Sequence, residues 1–142
     1  MTSTMASHAI SPRFTPEQRT GFTLPAFLLA AASAYPDKVA MREMSGGQLT
    51  YTELLELTER RAAGLAALGV TQGDRVLLLM DNSIDLVVSW FATNLLGAVQ
   101  VGTNTACRGT SLVHIANNSG ADVAIIDAKY ADAVADVAGE LK

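Results

Sequence analysis

Residues 71–83 read Thr-Gln-Gly-Asp-Arg-Val-Leu-Leu-Leu-Met-Asp-Asn-Ser. Thr71 to Asp74 is turn chemistry. Val76 to Met80 is an unbroken apolar run, and polar residues resume at Asp81. A run this short is too brief for a helix. It also lacks the apolar–polar alternation of a strand with one wet face, so it reads as a strand buried on both faces, as parallel sheets require. A parallel strand needs a crossover on each side, usually a helix, and the flanking sequence supplies them.

On the amino side, Thr50-Tyr51-Thr52-Glu53 is a capping box. The Thr50 hydroxyl can accept from the Glu53 N–H, and the Glu53 carboxylate from the Thr50 N–H. The predicted helix carries an apolar stripe at Tyr51, Leu54, Leu55, Thr58, Ala62, Leu65 and Leu68, and Gly69 stops it. Glu56 and Arg60 on the other face are spaced for an ion pair. Further back, Val39 to Met44 reads as a strand followed by a turn at Ser45-Gly46-Gly47-Gln48.

The region before that strand admits two readings. Arg13 and Arg19, the apolar stretch Ala26 to Ala32 and the Ala32-Ser33-Ala34 triplet resemble an export signal. Glu17, Pro25 and the long leading segment favour instead a short helix over Leu24–Ala34, capped by Thr23 and stopped before Pro36. The helix is the preferred reading. Residues 1–22, rich in Ser, Thr and Pro, are expected to form a flexible tail, and residues 23–142 an incomplete α/β domain.

On the carboxyl side, Asn82 is placed to cap a second helix running to Leu96, with Asp85 in its first turn. Ile84, Leu86, Val87, Val88, Trp90, Phe91 and Leu95 make it apolar nearly all round, which predicts burial on most sides. Gly97 ends it. A strand at Ala98–Val101, a loop, a helix over 110–118 and a strand at Asp122–Ile126 follow. Asp127 is placed to cap a last alanine-rich helix ending near Leu141. The alternation of strand and helix argues an α/β fold, a partial doubly wound and mainly parallel sheet flanked by helices. In such sheets ligands lie beyond the carboxyl ends of strands, which singles out the segments after Met80, Val101 and Ile126.

Composition narrows the function classes. The 142 residues carry a formal net charge of -4, which offers no phosphate-neutralising surface, so no nucleic-acid partner is expected. One cysteine builds neither a disulfide framework nor a Cys-rich zinc site, and fits a reducing, cytoplasmic setting. No apolar run approaches the ~20 residues of a transmembrane helix. Charged residues are only 17% of the chain, below the ~25% usual for soluble domains. Its 23 alanines raise the apolar share. Faces normally covered by something else would account for the rest.

No catalytic constellation is legible. There is no G-x-G-x-x-G, no G-x-x-x-x-G-K and no G-x-S-x-G. Asp81 and Asp127 each follow a buried strand, where a phospho-accepting or metal-binding aspartate would lie. A helix cap or a solvent contact is the plainer assignment. Cys107 and His114 could form a thiol–imidazole pair, but no third orienting group is identifiable, and a filler thiol with a surface or packing imidazole is preferred. Arg108 precedes a helix N-terminus in the loop after a strand, where an anion is favoured. From spacing alone, a solvent-exposed loop charge is the stronger reading.

The order of short motifs resembles the N-terminal part of the adenylate-forming, AMP-producing acyl-CoA synthetases of the ANL superfamily. The segments are Tyr35-Pro36-Asp37-Lys38-Val39-Ala40, Leu49-Thr50-Tyr51-Thr52-Glu53-Leu54, Gly73-Asp74-Arg75-Val76, Asn82 through Trp90-Phe91-Ala92 to Leu96-Gly97-Ala98-Val99, and Asn104-Thr105 with Arg108-Gly109, Leu112, His114 and Ser119-Gly120-Ala121. The resemblance spans Leu24 to Asp127. Gly102 stands where relatives often have proline, and Cys107 where an aromatic residue is common. The resemblance implies the first part of the large N-terminal domain of an ATP-dependent carboxylic acid–CoA ligase. ATP, Mg2+ and CoA would serve the whole enzyme, with none expected to bind tightly to this chain alone, and the partners would be a small-molecule carboxylic acid, CoA and the rest of that enzyme. The family's phosphate loop and catalytic lysine come later in its chains. No catalytic or metal-binding residue is therefore expected here, and the 142 residues alone are expected to be inactive. The resemblance also implies that Arg108 lies near the CoA nucleotide phosphates. Two other classes stay open: a non-catalytic α/β interaction module that pairs with a partner chain, and a receiver-like domain using Asp127.

Overall fold

A computed structural model describes residues 23–44 and 46–142. The expected tail, the signal-like arrangement of Arg13 and Arg19, and Ser45 lie outside those residues. The Leu24–Ala34 helix is formed: α1 begins behind Thr23, whose hydroxyl accepts from the Ala26 N–H at 3.3 Å.

The strand at residues 39–44 does not join the parallel sheet. β1 (Val39–Arg42) pairs antiparallel with β2 (Gln48–Thr50) in a separate two-stranded hairpin. The connection is too short for a parallel crossover, and Gly46 at φ 102° turns the chain back. Glu43, just past β1, ties this hairpin to the body. Its Oε1 accepts from the Ile84 N–H at 2.5 Å, at the start of the helix after the central strand.

α2 (Tyr51–Ala67) carries the complete capping box. The Thr50 N–H donates to Glu53 Oε2 at 2.7 Å, and the Glu53 N–H to Thr50 Oγ1 at 3.2 Å. Its C-terminus closes as a Schellman motif, with Val70 N–H donating to Leu65 O and Gly69 N–H to Ala66 O. Gly69 has φ 93°, a conformation glycine adopts without strain. Leu54, Thr58, Ala62 and Leu65 are buried as the stripe predicts. Leu68 is 70% exposed instead, because the helix ends before another turn could bring it inward. No ion pair joins Glu56 to Arg60. The neighbouring Arg61 takes that role across helices, with its Nη2 2.7 Å from Asp85 Oδ1.

The second sheet is parallel throughout, in the order β4 (Val99–Gly102), β3 (Arg75–Leu79), β5 (Val123–Ile126). β3 lies in the middle, so its backbone is paired on both sides. The alternation of a strand explains its burial: Val76 and Leu78 enter one core cluster, Leu77 and Leu79 another. The first cluster is roofed by α2 and by α3 (Ile84–Leu95), the second by α4 (Gly109–Ser119) and the C-terminal segment. Helices on both faces of a parallel sheet make the doubly wound arrangement. A third cluster, around Leu28, Leu54 and Val88, joins α1 and the hairpin to α2 and α3.

Three local expectations are corrected. Ser83, not Asn82, caps α3, its hydroxyl accepting from the Leu86 N–H at 3.0 Å. The α3 residues buried below a tenth are Val88, Ser89, Ala92 and Thr93, whereas Trp90 is 42% exposed. Small residues line the seam with α2, and that close approach turns the indole outward. Residues 128–140 do not form one helix. They break into a 3-10 turn (Ala128–Tyr130), the five-residue α5 (Ala131–Ala135) and a second 3-10 turn (Ala138–Glu140). Alanine favours helix but offers little area to bury, and short helices are held mostly by packing.

Candidate functional site

The three strand ends expected to face a ligand do converge in side-chain contacts. Asp81 follows β3 after a single intervening residue. Its carboxylate accepts from the Tyr130 hydroxyl at 2.5 Å and pairs with the Lys129 ammonium, both from the turn after β5. The Asp81 N–H in turn donates to Asp127 Oδ2 at 2.7 Å. The Lys129 ammonium, then the Tyr130 hydroxyl and more weakly Thr105, hold the Asp81 carboxyl below its ordinary value, and Asp81 raises Lys129. Asp127 thus caps no helix through its side chain. It fastens the β3 loop to the β5 loop.

Arg108 comes from the third strand end, in the loop after β4. Its Nη1 donates to the Thr105 and Cys107 carbonyls, each at 2.7 Å, and its guanidinium carbon lies 5.2 Å from the Tyr130 ring centroid. The Lys129 ammonium is 5.1 Å from the same ring. Arg108 is therefore exposed but not a loose loop charge. Its Nη1 edge is spent on the loop, and among the described residues neither Nη2 nor Nε has a protein partner. It is also the N-cap residue of α4 and makes no side-chain cap bond. The first amides of that eleven-residue helix therefore follow directly on the Arg108 backbone.

The Cys107–His114 pairing is not formed. Cys107 is a free thiol packed against the second core cluster, His114 is exposed on α4, and no hydrogen bond joins them. Among the described residues no group of three or more His, Cys, Asp or Glu could hold a metal ion, and no helix is long and apolar enough to cross a membrane. Spacing alone misses Lys129 and Tyr130. Their signal was position: they follow the predicted β5 by a few residues, at the strand end where the fold gathers polar groups.

A model of the AMP-binding enzyme family matches residues 28–142. The chain is 37% identical over 94 residues to a 3-hydroxybenzoate–CoA/4-hydroxybenzoate–CoA ligase from Thauera aromatica, covering 66% of this chain and 18% of that one. It is 38% identical over 106 residues to a salicyl-AMP ligase / salicyl-S-ArCP synthetase from Mycobacterium tuberculosis, covering 72% and 19%. The chain thus spans less than a fifth of the length of these relatives. Among solved structures, a putative long-chain-fatty-acid CoA ligase from Rhodopseudomonas palustris superposes with a TM-score of 0.80 at 30% identity, over 86% of this chain and 31% of that one. The parallel sheet with its two helical faces, the order of the motifs and the family match agree, and the chain belongs to the AMP-binding enzyme family.

Proposed function

We propose that this chain is the N-terminal scaffold portion of an ATP-dependent carboxylic acid–CoA ligase. In that reaction a carboxylate oxygen attacks the α-phosphorus of ATP and expels pyrophosphate, forming an acyl-AMP. The CoA thiol then attacks the acyl carbon and expels AMP. The observation that carries the scaffold role is the state of the strand-end carboxylates. Asp81 is engaged by Lys129 and Tyr130, and Asp127 by the Asp81 amide. Both carboxylates thus spend hydrogen bonds on holding the strand ends together. No group of three or more His, Cys, Asp or Glu gathers among the described residues, and no metal-assisted step is assigned to them.

The part of the reaction this chain would serve is binding. Arg108 keeps its Nη2 and Nε, donors suited to a phosphate, and its backbone leads into the N-terminus of α4. In the whole enzyme it contacts the nucleotide phosphates of CoA. The isolated chain is expected to release no pyrophosphate from ATP with benzoate, salicylate or palmitate, and sustained release would overturn the scaffold reading. Arg108→Ala in the whole enzyme is expected to raise the CoA requirement and leave acid adenylation unchanged. An unchanged CoA dependence would retire the role of Arg108.

A further inference from the structure

We propose that Tyr130 and Asp81 are positioning residues for Arg108, forming a relay that runs from β3 through the β5 turn to the β4 loop. The proposal rests on Arg108 being the anion-binding group, and names what aims it. A free arginine side chain is costly to hold, at up to ~2 kcal/mol of rotamer entropy. Here two carbonyls fix one edge of the guanidinium, and the Tyr130 ring lies 5.2 Å from its carbon. The ring is itself fixed, because its hydroxyl donates to Asp81 at 2.5 Å. Asp81 also binds the Lys129 ammonium, the second cation near that ring, and so neutralises the charge that would otherwise repel Arg108. Asp127 anchors Asp81 through its amide. The relay leaves the Nη2 and Nε edges open for a ligand phosphate.

The relay can be read without any ligand. In nuclear magnetic resonance spectra of the 142-residue chain, the Arg108 Hδ and Hε resonances should carry a ring-current shift from Tyr130. Tyr130→Leu should abolish that shift. Tyr130→Phe, which keeps the ring and loses the anchor, should reduce it, and Asp81→Asn should reduce it similarly. A general loss of structure would instead move the methyl resonances of Leu77 and Leu79, which therefore serve as the folding control. Titration of the whole enzyme with CoA, with dephospho-CoA as comparison, then reads the consequence. Arg108→Ala should weaken CoA binding roughly tenfold, Tyr130→Leu about two- to fivefold, and Tyr130→Phe less than Tyr130→Leu. Arg108 resonances indifferent to both Tyr130→Leu and Asp81→Asn would overturn the relay whatever CoA does. A shift that responds as expected in the 142-residue chain, with the CoA affinity of the whole enzyme equal in every variant, would uphold the relay and retire CoA as the ligand of Arg108.

Discussion

The two faces of the parallel sheet receive the same kind of side chain from β3 and are covered unequally. On the first face, Val76 and Leu78 meet α2 and α3, two long helices with side-chain caps and left-handed glycine stops. Arg61 ties them together, donating to Ser89 Oγ at 2.6 Å and to Asp85 at 2.7 Å. On the second face, Leu77 and Leu79 meet α4 and the broken segment after β5. A partly open cavity of about 240 Å3 remains there, lined by Leu77, Leu112, Ala116, Val123, Ala124 and Val134 among others. The difference teaches that strand alternation sets which way a side chain points and not how well it is covered. Coverage depends on whether the crossing element has enough bulk, and the alanines after Asp127 do not supply it.

The largest test of the contrast compares truncations one residue apart. Leu78→Ala is expected to cost about 3–5 kcal/mol, because the close-packed first face cannot collapse into the gap. Leu77→Ala is expected to cost less, about 2–3 kcal/mol, since its surroundings can relax into space already present. Urea unfolding followed by circular dichroism measures both, and equal losses would mean that the faces do not differ in packing. Filling the second face should work in the opposite direction. Ala116→Leu, on α4 at the cavity wall, is expected to stabilise by about 0.5–2 kcal/mol. A lower urea midpoint would show that the space does not accept the side chain.

The first face has its own flaw. Thr58 is 1% exposed, and its hydroxyl has no hydrogen-bond partner. Thr58→Val keeps the shape and removes the unsatisfied group, so a gain of about 1 kcal/mol is expected. A loss on calorimetry would mean that the hydroxyl is satisfied in solution.

The smallest expected effect concerns acid. The Asp81 carboxyl is held low in the folded chain by Lys129 and Tyr130, so the unfolded chain binds more protons in the acid range. That contribution is fully present above the ordinary aspartate value of ~3.9, and is lost as the pH falls through the lower folded value. Asp74 and Glu53 add the same sign from local partners, Thr71 and Thr50. Asp81→Asn should therefore flatten, but not abolish, the fall of the urea midpoint below about pH 5. Identical slopes would mean that the long-range clamp does not form.

The local partners mark what a linear reading reaches. The capping box at Thr50 and Glu53, the turn at Thr71 to Asp74 and the stops at Gly69 and Gly97 all involve groups a few residues apart. Their geometry follows from chain connectivity, and each is found as expected. Arg108 was legible as a basic residue before a helix. Its binding to Tyr130 was not, because those residues meet only once β4 and β5 flank β3. The exposed Trp90 escaped for a similar reason. A helix apolar on every side does not say which side its neighbour takes, and the small residues Ser89, Ala92 and Thr93 decided it.

The sequence by itself determined the helices and parallel strands up to Ile126, the buried central strand and the family, since periodicity, caps and motif order are properties of neighbours along the chain. The tertiary structure alone decided three matters. It set the first strand apart in a hairpin, left one face of the sheet thinly covered, and joined Asp81, Arg108, Asp127, Lys129 and Tyr130 at the strand ends. Each depends on distances across the sheet, and strands about 5 Å apart bring together residues that the chain keeps tens of positions apart.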